Sequence, residues 1–298
     1  MKIDKRNGNV VFEESTHNYW NYLTNRKFIS VTTLIGKYEH PFNEDFWSSY
    51  KSLEKILSDD KFKFEKKKLL ETEKIDLDYF QDIHNLDILL FGRIKNEILE
   101  EWKTINKIST ERGTKIHSKL ENSFYKQETC KLQKFGLGGV FTCKKDYTEL
   151  NLDKGVYPEY LISYEDDGIA VAGQIDLFIK DGNEITLIDY KTNKEIKKTS
   201  YFDSKTKKNK MMIYPLTNIQ DCNYGHYTLQ LSTYAWMLQK LNPEFVIKKL
   251  MIIHYDHSGK VVTYDIDYLK DDVELLIKDY KRKLVHDEQE RKRSRINY

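Results

Sequence analysis

The sequence is poor in cysteine, proline and long apolar runs, and each shortage removes a class of protein. Its 298 residues hold four prolines and three scattered cysteines, Cys130, Cys143 and Cys222, with no CxxC pair. A disulfide framework or a cysteine zinc site is therefore not expected, and a four-cysteine iron–sulfur cluster is excluded by count. No stretch approaches the ~20 apolar residues that a membrane span needs. The opening "MKIDKRNGNVVFEE" lacks the apolar core of a secretion signal, so the expected location is the cytoplasm, or the host cytoplasm for a phage protein. No Walker A or G-x-G-x-x-G loop occurs, and "FGLGGV" follows no clear strand, which argues against nucleotide binding. A nucleophile elbow is also missing, which argues against Ser/His/Asp hydrolysis.

What is present is the composition of a soluble globular protein, 39% hydrophobic and 32% charged. The net charge of +2 is too balanced to indicate nucleic acid by itself. The charge is nevertheless uneven. "KTKKNK" (Lys205 to Lys210) and "KRKLVHDEQERKRSR" (Lys281 to Arg295) are basic and matter only if the site beside them handles phosphates. Short strands are expected before about residue 50, with Thr32 or Thr33 as an N-cap. From Phe46 to Trp102 the Lys-, Glu- and Leu-rich chain reads as helices, and "SDDKFKFEKKKLLETEK" within it as a solvated face. "STERGTKIHSKLENSFY" is a further helix, and 127–156 a long loop or insertion. A β-meander covers Tyr157 to Lys191, then come the helix "YTLQLSTYAWMLQKL", a second hairpin and a terminal helix from Lys270. The expected fold is α/β or α+β.

The stretch "GQIDLFIKDGNEITLIDYKTNK" places Asp176 inside one apolar strand and Asp189 and Lys191 at the end of the next. Asp181-Gly182 is a type I′ turn signal. A two-residue loop there pairs Asp176 with Leu187, so Asp176, Leu187, Asp189 and Lys191 share a face and the two acids are diagonal neighbours. The alternate residues Ile169, Val171, Gly173, Ile175, Leu177 and Ile179 form the expected core face. In "YPEYLISYEDDG" a turn at Asp166–Gly168 brings Glu159 directly or diagonally opposite Asp176. Three carboxylates this close call for a cation. Oxygen ligands select Mg²⁺ or Mn²⁺, and a neighbouring lysine can stabilise charge on a phosphorus centre.

An acid on one strand followed by "DYK" on the next resembles the PD-(D/E)XK nuclease superfamily, in particular its RecB-like and lambda-type phage exonuclease branch. "GTKIHSKLE" is similar to that branch's G-x-x-x-H helix and "LQLSTYAWML" to its Q-x-x-x-Y helix. The resemblance spans most of residues 10 to 240. It implies a restriction-endonuclease-like core, a central mixed sheet flanked by helices, at residues 106–280. Residues 1–105 would form an N-terminal region of strands and helices packed on it, and 281–298 a basic terminal helix or tail. It further implies a metal-dependent deoxyribonuclease, an exonuclease in recombination, repair or phage replication. Asp176, Asp189 and the carbonyl of Tyr190 would hold Mg²⁺ or Mn²⁺, with Glu159 and His117 as further ligands and Lys191 as the catalytic lysine. Gln230 and Tyr234 would contact DNA, as would Lys194, Lys205, Lys207 and Lys208. A recombinase or single-strand annealing protein would be the implied partner, with RNA as substrate, the number of metal ions and the oligomeric state left open. From the residues alone, His117 and Glu121 stand at i, i+4 and could also pair with each other. An endonuclease and a catalytically idle nucleic-acid-binding module are the rival readings.

Overall fold

The computed structural model describes residues 5–13, 16–144, 152–166, 168–203 and 206–296. In chain order its first elements are β1 (Lys5–Asn7), β2 (Val10–Glu13), β3 (Asn18–Asn21), β4 (Lys27–Ser30), α1 (Val31–Gly36), α2 (Glu44–Ile56), α3 (Asp59–Thr72) and α4 (Leu77–His84). The long helix α5 (Ile88–Tyr125) precedes β5 (Thr129–Lys131), β6 (Val140–Thr142), β7 (Gly155–Asp166), β8 (Ile169–Asp181) and β9 (Glu184–Lys191). The chain closes with β10 (Phe202–Asp203), β11 (Lys208–Asn209), α6 (Asn223–Leu241), β12 (Val246–Tyr255), β13 (Val261–Ile266) and α7 (Lys270–Ile296). The protein is thus mixed α/β. Among the described residues no helix is long and apolar enough to cross a membrane, and all three cysteines are buried and free.

Two compact units form, one of Met1–Glu39, Gly113–Phe202 and Lys208–Tyr298, the other of His40–Arg112 and Asp203–Lys207. The boundary expected at 105/106 falls inside α5, and the first strands belong with the main sheet. The reason is a long-range parallel pairing, Ile29↔Val171 and Ser30↔Ala172, that joins β4 to β8. Residues 281–296 likewise continue α7, which begins at Lys270. Helix α1 is capped by Ser30, whose hydroxyl accepts the Thr33 N–H, rather than by a threonine within it.

The first unit is built on a nine-stranded mixed sheet, with β7, β8 and β9 as a central meander and β12 parallel to β9. Strand β7 lies along one edge of β8 for its whole length. The other edge is shared: β4 pairs with Val171 and Ala172, and β9 with Leu177 to Asp181. The β8–β9 turn is Gly182-Asn183 instead of Asp181-Gly182, with Gly182 at φ +60° in the first central position, as a type II′ turn requires. Lys180 therefore pairs with Ile185. The shift from the expected register is two residues. An even shift keeps every side chain on its face and moves Asp176 toward a place directly opposite Asp189.

The expectation of one core face on β8 is corrected. Both faces are buried, and they exchange at Asp176. Ile169, Val171 and Ile175 pack in the layer of α6 with Leu231 and Trp236. Beyond Asp176, Phe178 takes that layer, while Leu177 and Ile179 pack in the opposite one with Phe141 and Met251. On β7, Tyr160 and Tyr157 keep to the α6 layer across the same point. Register holds on both sides, with Tyr160↔Ile175 and Pro158↔Leu177. The residue between them is Glu159, whose φ of +50° is left-handed. For a non-glycine residue that conformation costs roughly 1–3 kcal/mol.

In the second unit, α2, α3, α4 and the start of α5 enclose Phe46, Leu53, Phe62, Leu69 and Phe80. Here α3 is more than a solvated face, since it buries Glu65, which is 2% exposed. The Glu65 carboxylate accepts from the Tyr79 hydroxyl at 2.8 Å and meets His84 Nε2 at 2.9 Å. Burial opposes its ionisation, but these two hydrogen bonds prevail and hold the carboxyl below its ordinary value. A depressed folded pKa stabilises fully above the unfolded value near ~4.3 and is lost as pH falls through the folded one. Glu65→Ala should cost about 1–3 kcal/mol at neutral pH, and the gap to wild type should close in acid. Denaturant unfolding followed by circular dichroism at a series of pH values checks both the size and the sign.

Candidate metal centre

The candidate site occupies the interval on β8 between its two edge partners. Pairing with β4 ends at Ala172 and pairing with β9 begins at Leu177. At that fork the Asp176 carboxylate accepts the Tyr190 amide through Oδ2 at 2.6 Å, so a side chain ends the β8–β9 ladder. Beneath the fork Gly173 faces Tyr234, and a Cβ on Gly173 would lie 2.7 Å from the tyrosine ring. Tyr234 is itself only 3% exposed and has little room to withdraw. Gly173→Ala should therefore destabilise the protein by about 1–3 kcal/mol through overpacking, measured as a lowered thermal unfolding midpoint.

Three side chains from three elements converge above the fork. His117 of α5 places Nδ1 at 3.5 Å from Asp176 Oδ1 and 3.8 Å from Glu159 Oε1. One ligand atom each of His117, Glu159 and Asp176 lies within 4.8 Å of the others. His117 Nε2 stands 3.0 Å from the Tyr190 carbonyl. Burial pulls the imidazole pKa down, but Asp176 and then Glu159 outweigh it and push it up to about 11. The imidazolium then donates from Nε2 to the Tyr190 carbonyl, and Nδ1 is paired by charge with the two acids. For Asp176 burial raises the pKa, yet His117, Lys191 and the Tyr190 amide hold it below the ordinary carboxylate range.

A second group lies beside the first. Lys191 Nζ is 2.7 Å from Asp189 Oδ2, at an angle that leaves this oxygen without an aligned hydrogen bond. The same ammonium donates to Gln230 Oε1 at 3.0 Å and sits 4.4 Å from the centre of the Tyr227 ring. Asp189 is 2% exposed, and burial, offset by Lys191 and reinforced by Asp176, raises its pKa to about 6. Burial opposes charge on Lys191, but Asp189 and Asp176 prevail and raise its pKa. At neutral pH Lys191 is a fixed cation.

The structure thus brings together His117, Glu159, Asp176 and the Tyr190 carbonyl in one group, and Asp189, Lys191 and Gln230 in another. Asp189 stands with the lysine rather than in the close trio. Tyr234 receives a hydrogen bond from Gln230 Nε2 at 3.4 Å and is buried, so its ring packs on the sheet instead of lining an open surface. Both α6 residues lie inside the fold because the helix is buried around its whole girth from Thr228 to Leu238. Lys194, Lys207 and Lys208 are exposed, and Lys205 lies outside the described residues. Tyr227 was not anticipated, although it stands three residues before Gln230 in the helix read as functional.

The donor set tests well against a hard divalent cation. The Glu159 and Asp176 carboxylates are hard oxygen donors, and against one imidazolium they leave the trio short of positive charge. An ion bound here would take over the charge that the His117 proton balances, and once that proton is displaced the imidazole adds a nitrogen that Mn²⁺ accepts more readily than Mg²⁺.

No family model matches the chain, and no curated protein matches it. Among solved structures, that of SSO0001 is similar over 42% of this chain and 48% of its own length, with 17% identity and a TM-score of 0.24. The match spans just under half of that protein, and a likeness this slight carries no argument about fold or function.

The charge balance of the trio can be read directly. In the metal-free protein the His117 imidazole should stay protonated well above its ordinary ~6.5. Asp176→Asn should bring its pKa down further than Glu159→Gln does. Titration of the imidazole resonances by NMR is the check, and a wild-type His117 that titrates near its ordinary value would refute the arrangement.

Proposed function

We propose that the chain is a divalent-metal-dependent deoxyribonuclease built on a restriction-endonuclease-like core of the PD-(D/E)XK kind, acting as an exonuclease. The observation that carries this reading is the convergence on one strand fork of three acids, a histidine, a main-chain carbonyl and a buried, charge-paired lysine. These come from α5, β7, β8 and β9, elements with no local reason to collect charge. A stabilising role alone explains it poorly, since buried ion pairs are weak contributors to stability.

His117, Glu159, Asp176 and the Tyr190 carbonyl would hold Mg²⁺ or Mn²⁺. Such an ion supplies neutralisation of a phosphate and a more acidic water. Lys191 is held by Asp189, Gln230 and Tyr227, so its ammonium is fixed before substrate arrives. Protonated at neutral pH, it acts on developing phosphoryl charge as a cation and not as a base. The left-handed Glu159 turns its carboxylate toward Asp176 and His117. Lys194, Lys207 and Lys208 would meet the phosphate backbone, and the strength of binding would fall with salt.

Cleavage of end-labelled linear duplex, closed circular duplex and single-stranded DNA with Mg²⁺, Mn²⁺ or EDTA tests the proposal. Metal-dependent loss of linear substrates with survival of the circle is the expected result, and nicking of the circle would make the enzyme an endonuclease. Asp176→Ala, Asp189→Ala and Lys191→Ala should each lower the rate by about 10²–10³-fold or more while DNA binding persists. Wild-type cleavage by the Lys191 variant would overturn the mechanism. DNA binding with no cleavage in either metal would leave the binding-module reading.

A further inference from the structure

The connection between β9 and α6 carries three of the large exposed rings on the first unit. Tyr201 is 62% exposed, Phe202 54% and Tyr214 64%. Single exposed apolar residues are ordinary, but these three stand within fourteen residues and among exposed Lys194, Lys208 and Lys210. The described residues around them are held by hydrogen bonds. Lys210 N–H donates to the Tyr201 carbonyl at 2.8 Å, and Asp221 N–H donates to the Lys210 carbonyl at 2.9 Å. Gln220 Oε1 accepts from Ser200 N–H and Asn209 Nδ2, both at 2.9 Å. Ile213 N–H donates to the Tyr38 carbonyl at 2.8 Å, which fixes the chain just before Tyr214.

The same segment leads to the site. Asp221 Oδ1 meets His226 Nε2 at 2.8 Å. His226 adjoins Tyr227, whose ring lies under Lys191 Nζ. Exposed aromatic rings and exposed lysines in one hydrogen-bonded connection match the chemistry of an unpaired nucleic-acid strand. Its bases offer free π-faces to stack on and its phosphates offer charge to the lysines. A duplex keeps its base faces inside the stack and could use only the lysines.

We propose that Tyr201, Phe202 and Tyr214, with Lys194, Lys208 and Lys210, form a stacking platform that binds an unpaired DNA strand and leads it toward Lys191. This rests on the nuclease reading for the destination of the strand, though not for the binding itself.

The test uses the full chain in EDTA, where no cleavage intervenes, and fluorescence anisotropy with end-labelled oligo(dT) and a blunt hairpin duplex of equal phosphate number. Wild type should bind oligo(dT) more tightly than the duplex. The triple variant Tyr201→Ala/Phe202→Ala/Tyr214→Ala should lose about tenfold or more in affinity for oligo(dT) and keep its affinity for the duplex. Lys208→Ala with Lys210→Ala should instead weaken both and flatten the salt dependence. Circular dichroism of each variant confirms the fold. Unchanged oligo(dT) binding by the triple variant, or wild-type binding of the duplex at least as tightly, would overturn the platform. Tighter binding of oligo(rU) than of oligo(dT) would overturn its assignment to DNA. Should the wild type cut no DNA yet show the expected binding pattern, the nuclease reading falls and the platform stands. Cleavage together with unchanged binding by the triple variant sinks the platform alone.

Discussion

The hydrogen bond from the Tyr190 amide to Asp176 Oδ2 determines the layout of the centre. Strand β9 pairs with β8 only as far as Leu177↔Ile188, and beyond that it runs beside β12, with Tyr190 opposite Ile253. Tyr190 is 4% exposed, so an amide left there without an acceptor would cost the desolvation of a buried donor. The Asp176 side chain removes that cost, and in doing so it opens the fork. Because Oδ2 is committed to the amide, Oδ1 is the oxygen that faces His117. The strand topology and the direction of the carboxylate are one fact.

Charges this deep survive only in company. Each acid at the fork has a cation or a backbone donor within reach, and the apolar layers on both sides of the meander supply the burial that holds the arrangement. Phe178 and Ile175 lie on one side, and Leu177 and Ile188 on the other. A regular pair of strands would keep alternate residues in one layer along their whole length, whereas here the alternation changes at Glu159 on β7 and at Asp176 on β8. The left-handed Glu159 breaks the alternation once, and the strain it carries sits where the chemistry is proposed, as strained backbone commonly does.

Much of the meander could be read from the sequence, because period-2 alternation and the glycines at 168 and 182 mark strands and turns whichever register is adopted. The grouping of Asp176, Asp189 and Lys191 survived a turn misplaced by one residue because the resulting register error was even. An odd slip would have scattered them. What could not be read depended on distant pairing. Nothing in "KFIS" says that β4 will lie parallel to β8, so the first strands looked like part of a separate N-terminal region. The burial of α6 on all sides was hidden for a related reason. Its apolar residues show a clear stripe, but Gln230, Ser232 and Thr233 are enclosed as well, by the sheet on one side and α7 on another. The reversal at Asp176 left no mark in the sequence, since Glu159 is not a residue type that favours the left-handed region.

Asp189 shows how the division within the centre arises. Its side chain is one methylene shorter than glutamate, and it lies buried beside the ammonium of the residue two positions on. The pair is held by charge rather than by an aligned hydrogen bond, so Asp189 fixes where the Lys191 charge sits without consuming its donors in that direction. Gln230 takes one N–H and the Tyr227 ring covers another approach. The ammonium is thereby confined to a narrow range of positions beside the trio. In the nuclease reading, this is how a flexible lysine becomes preorganised: the entropy of its four-carbon stem is lost on folding rather than at the moment of reaction. The trio of His117, Glu159 and Asp176 and the clamp on Lys191 are then two halves of one device. Asp176 couples them, since its charge bears on His117 and on Lys191 alike.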